Sequence, residues 1–235
     1  KKGFEFDWSL PIVGETWDGS LNDINGFHVT RQHTFAALDS ARGGPVAEGN
    51  VGGGTGMICN QFKGGIGTSS RRLSADRGGY TVGVLVQCNY GSRARLSIAG
   101  VPIGQEIPDL LPCYDSLPGV TVEGRRCAKA DQGSIIIVIA TDAPLLPHQL
   151  KRLAKRASLG VGRLGGLGGN TSGDIFVAFS TANPGAAKPD ATVTLTMLPN
   201  ERITPLFEST VQATEEGIVN AMVAAQTMAG ADGLR

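Results

Sequence analysis

The chain has 235 residues, of which 41% are hydrophobic and 18% are charged, and its formal net charge is zero. This length suits one substantial core or two small domains, and the composition is that of an ordinary globular protein. A neutral chain has no general electrostatic attraction to nucleic acid or to an anionic membrane, so neither is an expected partner. A membrane-spanning helix needs about 18 or more consecutive apolar residues, and the sequence has no such run.

The first half of the chain predicts one helix followed by strands. Thr30 is a typical helix-capping residue, and the helix that it starts is expected over residues 30–40. Strand-like apolar runs follow at residues 57–62, 80–88 and 96–99. Residues 101–133 contain four prolines and several charges, which is typical of an exposed connection between elements.

The second half predicts a further block of strands and helices. A continuous apolar run at residues 134–142 predicts a central strand that is packed on both faces. Pro147 stands at the start of an amphipathic helix, and further strands are expected at residues 174–180 and 191–197. A last helix is expected over residues 214–230. Elements arranged in such blocks favour a layered α/β or α+β domain.

The boundary between Gly133 and Ser134 is the point of greatest chemical interest. If this bond were cut, the new α-amine of Ser134, with an ordinary pKa of about 8, could act as the base for its own hydroxyl. The alternative is that Ser134 only opens the strand. The local residues leave both interpretations open.

Other glycine-rich and basic motifs do not support a specific site. Residues 160–165 match G-x-G-x-x-G but follow a helix, whereas a dinucleotide fingerprint needs a preceding strand. Residues 52–56 and 63–70 are similar to phosphate-binding loops but lack the ending of a Walker motif. The basic residues between 151 and 156 fit a solvated helix face better than a nucleic-acid site.

The cysteines and histidines do not have the spacing of a metal site. Cys59 and Cys88 lie in apolar runs and are expected to be buried thiols. A bridge between Cys113 and Cys127 is possible, but nothing in the sequence requires it. Neither this spacing nor the glycine-rich motifs imply a metal or an organic cofactor.

A set of segments, taken together, resembles one known family. They cover nearly the whole chain in the family's order, at residues 22–26, 44–50, 52–58, 62–71, 133–136, 140–154 and 172–183. The family is the DmpA family of L-aminopeptidase/D-amino-acid esterase-amidases and β-peptidyl aminopeptidases. The resemblance implies an α/β fold, a four-layer α/β/β/α sandwich that is similar to the N-terminal nucleophile hydrolases but connected differently.

The resemblance also implies roles for the catalytic residues. It places a self-cleavage between Gly133 and Ser134, which makes Ser134 the nucleophile. Asn89 matches the residue that stabilises the oxyanion. Ser172 and Asp174 match the residues that orient the nucleophile and its amine.

Two further residues match the part of the family's site that binds substrate. Glu15 matches the acidic residue that holds the free ammonium group of the substrate. Trp17 stands where some members carry a tyrosine, and its indole can shape a pocket but donates a hydrogen bond from a different place.

The implied activity is that of a self-processing N-terminal-serine aminopeptidase. Such an enzyme hydrolyses the amide or ester bond after a free N-terminal residue, through an acyl-enzyme, in a small peptide, amide or ester. D-, L- and β-amino acid substrates all stay open. One alternative is an acyltransferase of the ornithine acetyltransferase type, although that family uses a threonine nucleophile. The other is an uncleaved, non-catalytic relative.

The resemblance divides the chain at the cleavage point. Residues 1–133 would be the C-terminal part of an α chain, with the family's N-terminal part absent, and residues 134–235 would be the β chain. The two chains would form one domain and assemble into a homo-oligomer, a tetramer by resemblance. The bacterial cytoplasm and the periplasm both remain open as locations.

Overall fold

The computed structural model describes residues 11–113, 133–186, 192–231 and 234. In chain order, its helices and strands are α1 Arg31–Asp39, β1 Ile58–Cys59, β2 Phe62–Lys63, β3 Gly65–Arg72, β4 Thr81–Asn89, α2 Ile103–Glu106, β5 Ser134–Thr141, α3 Pro147–Arg163, β6 Ile175–Ser180 and α4 Thr204–Val223. The main sheet has the order β3-β4-β5-β6. Neighbouring strands are antiparallel except β5 and β6, which run parallel because α3 carries the chain back between them.

The strand β5 lies in the middle of the sheet, as the apolar run predicts. Its side chains alternate in burial, and Ile135, Ile137 and Ile139 are fully buried on the face that packs against the helices α3 and α4. The residues between them are only half-buried. Among the described residues the helices cover one face of β5, and the packing of its other face stays a prediction.

The two long helices cover this face of the sheet. α3 begins at Pro147 and buries Leu153, Ala157 and Val161, which confirms the predicted amphipathic helix. The prediction of a last helix over residues 214–230 is wrong at both ends, since α4 begins at Thr204 and ends at Val223. None of the described helices combines the length and apolar character needed to cross a bilayer.

The last helix was misplaced because of two acidic residues. Glu215 and Glu216 are typical of a first helical turn. In the structure they lie within α4 and form ion pairs with Arg163 and Arg71. The first turn of α4 instead contains Pro205, a residue type that is favoured at that position.

A β-hairpin replaces the single strand predicted over residues 57–62. The strands β1 and β2 are antiparallel, and the two residues between them, Asn60 and Gln61, have φ angles of 50° and 58°. Positive φ at both central residues is the requirement of a type I′ hairpin turn. The apolar run contains this turn because asparagine tolerates the left-handed region.

The strand β3 lies in the segment that resembles a phosphate-binding loop. In the structure its glycines are part of a strand that packs closely against other backbone segments. A Cβ on Gly67 would lie 1.9 Å from the carbonyl oxygen of Gly217 in α4. A Cβ on Gly65 would lie 2.1 Å from the carbonyl oxygen of Gly49. These glycines allow close packing of backbones, which explains why the strand has no apolar pattern.

Three predicted elements are confirmed by the structure: α1 follows Thr30, and β4 and β6 occur with ends shifted by a residue. Two predicted strands are wrong. Residues 96–99 follow a 3-10 turn and form only an isolated bridge, between Ile98 and Val101. Residues 192–197 form no strand, and residue 191 lies outside the described residues.

Cys59 and Cys88 are buried, as predicted, but they are not free thiols. Cys59 of β1 and Cys88 of β4 form a disulfide with a Cα–Cα distance of 5.4 Å. The bond joins the hairpin to the end of β4. The possible bridge between Cys113 and Cys127 includes a residue, Cys127, that lies outside the described residues.

Candidate active site

The predicted nucleophile and the predicted oxyanion residue meet at one end of the main sheet. Asn89, the last residue of β4, pairs with Ser134, the first residue of β5, in the antiparallel register. The pairing follows from the register of the whole ladder, in which Val82 lies opposite Thr141 at the other end. Residues 45 positions apart in sequence are therefore adjacent because two long apolar strands align.

The hydroxyl of Ser134 has bonding capacity left for chemistry. Its Oγ accepts a hydrogen bond from the backbone N–H of Gly173, with a distance of 3.0 Å. Within the described part of the chain, the hydroxyl donates to no acceptor. Gly173 lies in the loop before β6, and a Cβ at that position would lie 3.2 Å from Ser134 Oγ. The loop therefore approaches the nucleophile closely and holds it through its backbone.

The carboxylate of Asp174 joins this loop to the start of β5. Its Oδ1 accepts hydrogen bonds from the hydroxyl of Ser172 at 2.6 Å and from the N–H of Ile135 at 3.1 Å. Ile135 follows Ser134 directly, so the carboxylate lies beside the backbone of the nucleophile. The structure thus brings together Ser134, Ser172 and Asp174, as the sequence predicts.

The side-chain amide of Asn89 is held in one orientation by two backbone groups. Its Oδ1 accepts from the N–H of Ile58 at 2.8 Å, and its Nδ2 donates to the carbonyl oxygen of Trp17 at 2.7 Å. An N–H can only donate and a carbonyl can only accept, so these partners determine which end of the amide is which. The second N–H of Asn89 remains as a donor.

The residue before Ser134 lies directly against Asn89. Gly133 has a φ of 153°, a backbone conformation that favours glycine. A Cβ at this position would lie 1.9 Å from the backbone oxygen of Asn89 and 3.1 Å from its Nδ2. The predicted cleavage point is therefore close to the amide donor, and it has no room for a side chain.

The predicted substrate-binding residues lie in a segment that crosses the same end of the sheet. Gly14 packs against Ile136, and Thr16 accepts a hydrogen bond from Gln87 of β4 at 2.8 Å. Between them, the side chain of Glu15 is exposed and forms no hydrogen bond or ion pair with the described residues. Trp17 contributes its carbonyl oxygen to Asn89, while 53% of the residue is exposed. The structure therefore brings the backbone of this segment, but not the carboxylate of Glu15, into contact with the site.

Lys63 is a polar residue that the sequence analysis did not assign to this site. Its ammonium donates to the carbonyl oxygens of Gly54, Met57 and Gly64, at 3.1, 2.9 and 2.7 Å. Burial lowers the pKa of Lys63 to about 8. In the sequence this lysine is only part of a glycine-rich motif, because no local pattern marks a lysine whose ammonium bonds three backbone carbonyls.

The described site is built from side-chain and backbone polar groups. Across the described ranges, no group of three or more histidine, cysteine, aspartate or glutamate side chains is arranged to hold a metal ion. The arrangement contains a hydroxyl, a carboxylate and an oriented amide. These three groups can serve nucleophilic attack, orientation and stabilisation of an oxyanion.

Comparison with known sequences decides the family of this chain. The sequence profile of peptidase family S58 matches residues 1–235. The chain belongs to peptidase family S58. A curated relative is the β-peptidyl aminopeptidase BapA of Sphingosinicella microcystinivorans, which is 54% identical over 228 residues. The match covers 96% of this chain and 57% of the relative, so the chain spans a little over half of its length.

Solved structures of similar proteins have the same fold. The L-aminopeptidase D-Ala-esterase/amidase of Ochrobactrum anthropi is 49% identical, with a TM-score of 0.82 over 96% of this chain and 58% of that one. A β-aminopeptidase of a Burkholderia species is 48% identical, with a TM-score of 0.79 over 93% of this chain and 58% of that one. The resemblance to the DmpA family and its variant of the N-terminal nucleophile hydrolase fold are thereby confirmed.

Proposed function

We propose that this chain forms the catalytic part of a self-processing N-terminal-serine aminopeptidase. The enzyme hydrolyses the amide or ester bond after a free N-terminal residue through an acyl-enzyme. The observation that carries the proposal is the convergence of Ser134, Asn89 and Asp174 at one end of the sheet. Membership of the S58 family supports it, and the aminopeptidase relatives do not favour the acyltransferase alternative.

The first reaction is cleavage of the precursor. Ser134 Oγ attacks the carbonyl carbon of Gly133, the bond from that carbon to the nitrogen of Ser134 breaks, and the hydroxyl proton passes to this nitrogen. Water then hydrolyses the resulting ester. The products are a carboxyl group on Gly133 and a free α-amine and hydroxyl on Ser134. The proximity of Asn89 Nδ2 to Gly133 supports a role for this amide in stabilising the oxyanion of the step.

Turnover then uses the new amine as the base. The α-amine of Ser134 takes the hydroxyl proton while Oγ attacks the substrate carbonyl. The oxyanion accepts the unused N–H of Asn89, and the proton passes to the leaving amine or alcohol. Water hydrolyses the acyl-enzyme by the same route in reverse. Asp174 is suited to orient the amine, because it already bonds the N–H of the next residue.

The substrate is a small peptide, amide or ester with a free amino group. Glu15 pairs with this ammonium, which would restrict the enzyme to free N-termini. Trp17 lies two residues after Glu15, and its exposed indole is suited to contact the substrate side chain. The names of the BapA relatives favour N-terminal β-amino acids as the first substrates to test.

In the processed enzyme, residues 1–133 belong to the α chain and residues 134–235 to the β chain, and the two parts act as one domain. Register pairs from Val82–Thr141 to Asn89–Ser134 join the two parts through the ladder of β4 and β5, which supports their staying together after cleavage. Assembly into a homo-oligomer, a tetramer by family resemblance, is part of the same proposal. Light scattering of the purified protein measures this state directly.

Intact-mass spectrometry and N-terminal sequencing of the purified protein test the proposal. A chain that begins Ser-Ile-Ile-Ile is expected for the wild type, and a single uncut chain is expected for Ser134→Ala. The wild type should release the amine from β-alanyl, D-alanyl or L-alanyl amides. A Ser134→Ala variant that is still cut before residue 134 would show that another group is the nucleophile.

A further inference from the structure

The side chain of Lys63 places an ammonium group close to the residues of the candidate site. Lys63 is the last residue of β2 and is half-buried, and its hydrogen-bond acceptors are the three backbone carbonyls of Gly54, Met57 and Gly64. No carboxylate among the described residues forms an ion pair with it. A cation that bonds only to carbonyls polarises them without being neutralised.

One of these carbonyls leads directly to the oxyanion donor. The C=O of Met57 and the N–H of Ile58 belong to the same peptide unit. The ammonium of Lys63 donates to the oxygen of this peptide unit at 2.9 Å, and the N–H of Ile58 in the same unit donates to Asn89 Oδ1 at 2.8 Å. The series therefore runs from the ammonium through one peptide group to the amide of Asn89, which contains the remaining N–H.

Each bond of such a series strengthens the next one. A cation at the carbonyl oxygen draws electron density from the peptide nitrogen, so the N–H of Ile58 becomes a stronger donor. Its bond to Oδ1 then polarises the amide of Asn89 in the same sense, which makes the Nδ2 hydrogens more positive. The effect is largest when negative charge forms on the substrate oxygen in the transition state.

We propose that Lys63 is a positioning residue for the oxyanion donor, which it orients and polarises through the Met57–Ile58 peptide. This inference rests on the proposed function, because it assigns Lys63 a role in that same reaction. A purely structural lysine would only hold the glycine-rich turn at residues 52–57. Removal of such a lysine lowers stability but leaves the turnover number of the folded enzyme unchanged.

The test is a double-mutant cycle with Lys63→Met and Asn89→Ala in the purified protein. We expect Lys63→Met to lower kcat about tenfold with KM within about twofold, and to slow self-cleavage by a similar factor. In the Asn89→Ala background, the same change should have almost no further effect, because the amide through which Lys63 acts is gone. All rates are normalised to the folded fraction measured by circular dichroism.

Arg71→Met is the matched control, since Arg71 is a half-exposed cation at the far end of β3 and bonds Ser69 and Glu216. It should lower stability and leave kcat unchanged. If Lys63→Met does not fold, Lys63→Gln replaces it, because glutamine keeps two N–H donors without the charge and should show the same loss of kcat.

The outcomes separate the two proposals. If Asn89→Ala itself leaves kcat unchanged, the proposed function of the site fails. If Asn89→Ala is slow but the Lys63 variants keep wild-type kcat, or lose as much activity in the Asn89→Ala background as in the wild type, the role of Lys63 is overturned.

Discussion

The strand pair β4–β5 has two ends, and each end carries a hydroxyl beside a carboxylate. At the candidate site these are Ser134 and Asp174. At the other end they are Thr141, the last residue of β5, and Asp142 directly after it. Both ends therefore contain residue types from which a hydrolase site can be built.

The two hydroxyls differ in how their bonding capacity is used. Thr141 donates to the carbonyl oxygen of Thr81 at 2.7 Å, accepts from the N–H of Ala143 at 3.1 Å, and is only 3% exposed. Ser134 accepts one bond and donates to none of the described residues. Reactivity thus depends on which polar groups the fold leaves available, since residue type alone does not separate the two ends.

The largest expected effect comes from removing each hydroxyl in turn. Ser134→Ala should abolish self-cleavage and lower kcat by about 10⁴-fold or more, because the nucleophile is lost. Thr141→Val should leave kcat of the folded enzyme unchanged but destabilise it by about 1–3 kcal/mol, because two backbone groups lose their partner. Product formation and urea unfolding measure the two effects. A kcat that falls equally in both variants would contradict the comparison.

The next effect concerns the amide donor. Asn89→Ala should lower kcat by about 10²–10³-fold, the range known for loss of one oxyanion donor. Asn220→Ala is the matched control, since Asn220 donates to the carbonyl oxygen of Thr68 at 2.8 Å, in another part of the sheet. Steady-state kinetics of both variants should show the loss in the first alone. Similar kcat values in the two variants would show that Asn89 is not the oxyanion donor.

The two carboxylates should differ by a smaller factor. Asp174→Asn keeps the shape but removes the charge beside the nucleophile, and kcat should fall by about 10–100-fold. Asp142→Asn should leave kcat unchanged, since among the described residues Asp142 accepts only the N–H of Thr81, at 2.7 Å. Initial rates at saturating substrate distinguish the two. An Asp142→Asn variant as slow as Asp174→Asn would mean that the loss is a general effect on the sheet.

The smallest effect is on the pH dependence of stability. Lys63 has a pKa of about 8 in the folded protein and 10.5 ordinarily. Between these values the unfolded chain holds a proton that the folded one has lost, so the free energy of unfolding should rise with pH, by at most about 1.4 kcal/mol per pH unit. The charged group that shares a cavity with Lys63 is Arg93, which stays protonated over this range.

The measurement is urea unfolding of wild type and Lys63→Met at pH 7, 8, 9 and 10. The wild type should gain stability relative to the variant above pH 8. Equal slopes for the two proteins would show that Lys63 keeps its ordinary pKa. In that case the Ser134 end of the strand pair would not differ from the Thr141 end by a lysine with a lowered pKa.

The sequence predicts those parts of the fold that are specified locally. The apolar runs of β4 and β5 and the amphipathic pattern of α3 depend on their own residues. By contrast, β3 depends on how closely its glycines approach Gly49 and Gly217, which lie outside that strand. Long-range contacts of this kind leave no periodic pattern in a sequence.

The same division applies to the candidate site. Ser134, Ser172 and Asp174 lie near recognisable local features, and the resemblance to one family assigned them together with Asn89 and Glu15. The contact between Asn89 and Ser134 required the register of the ladder, which the residues alone do not determine. Lys63 was missed because its three acceptors are backbone carbonyls, which every residue type has.

The position of Gly133 and Ser134 at the very end of a ladder has a mechanical consequence. New chain ends are usually the most mobile part of a protein. Here the end created by cleavage would already be paired with Asn89, and the next N–H would already be bonded to Asp174. The scission would therefore produce a reactive amine while the backbone around it stays paired. The active site of the cleaved enzyme would then keep the geometry that it had in the precursor.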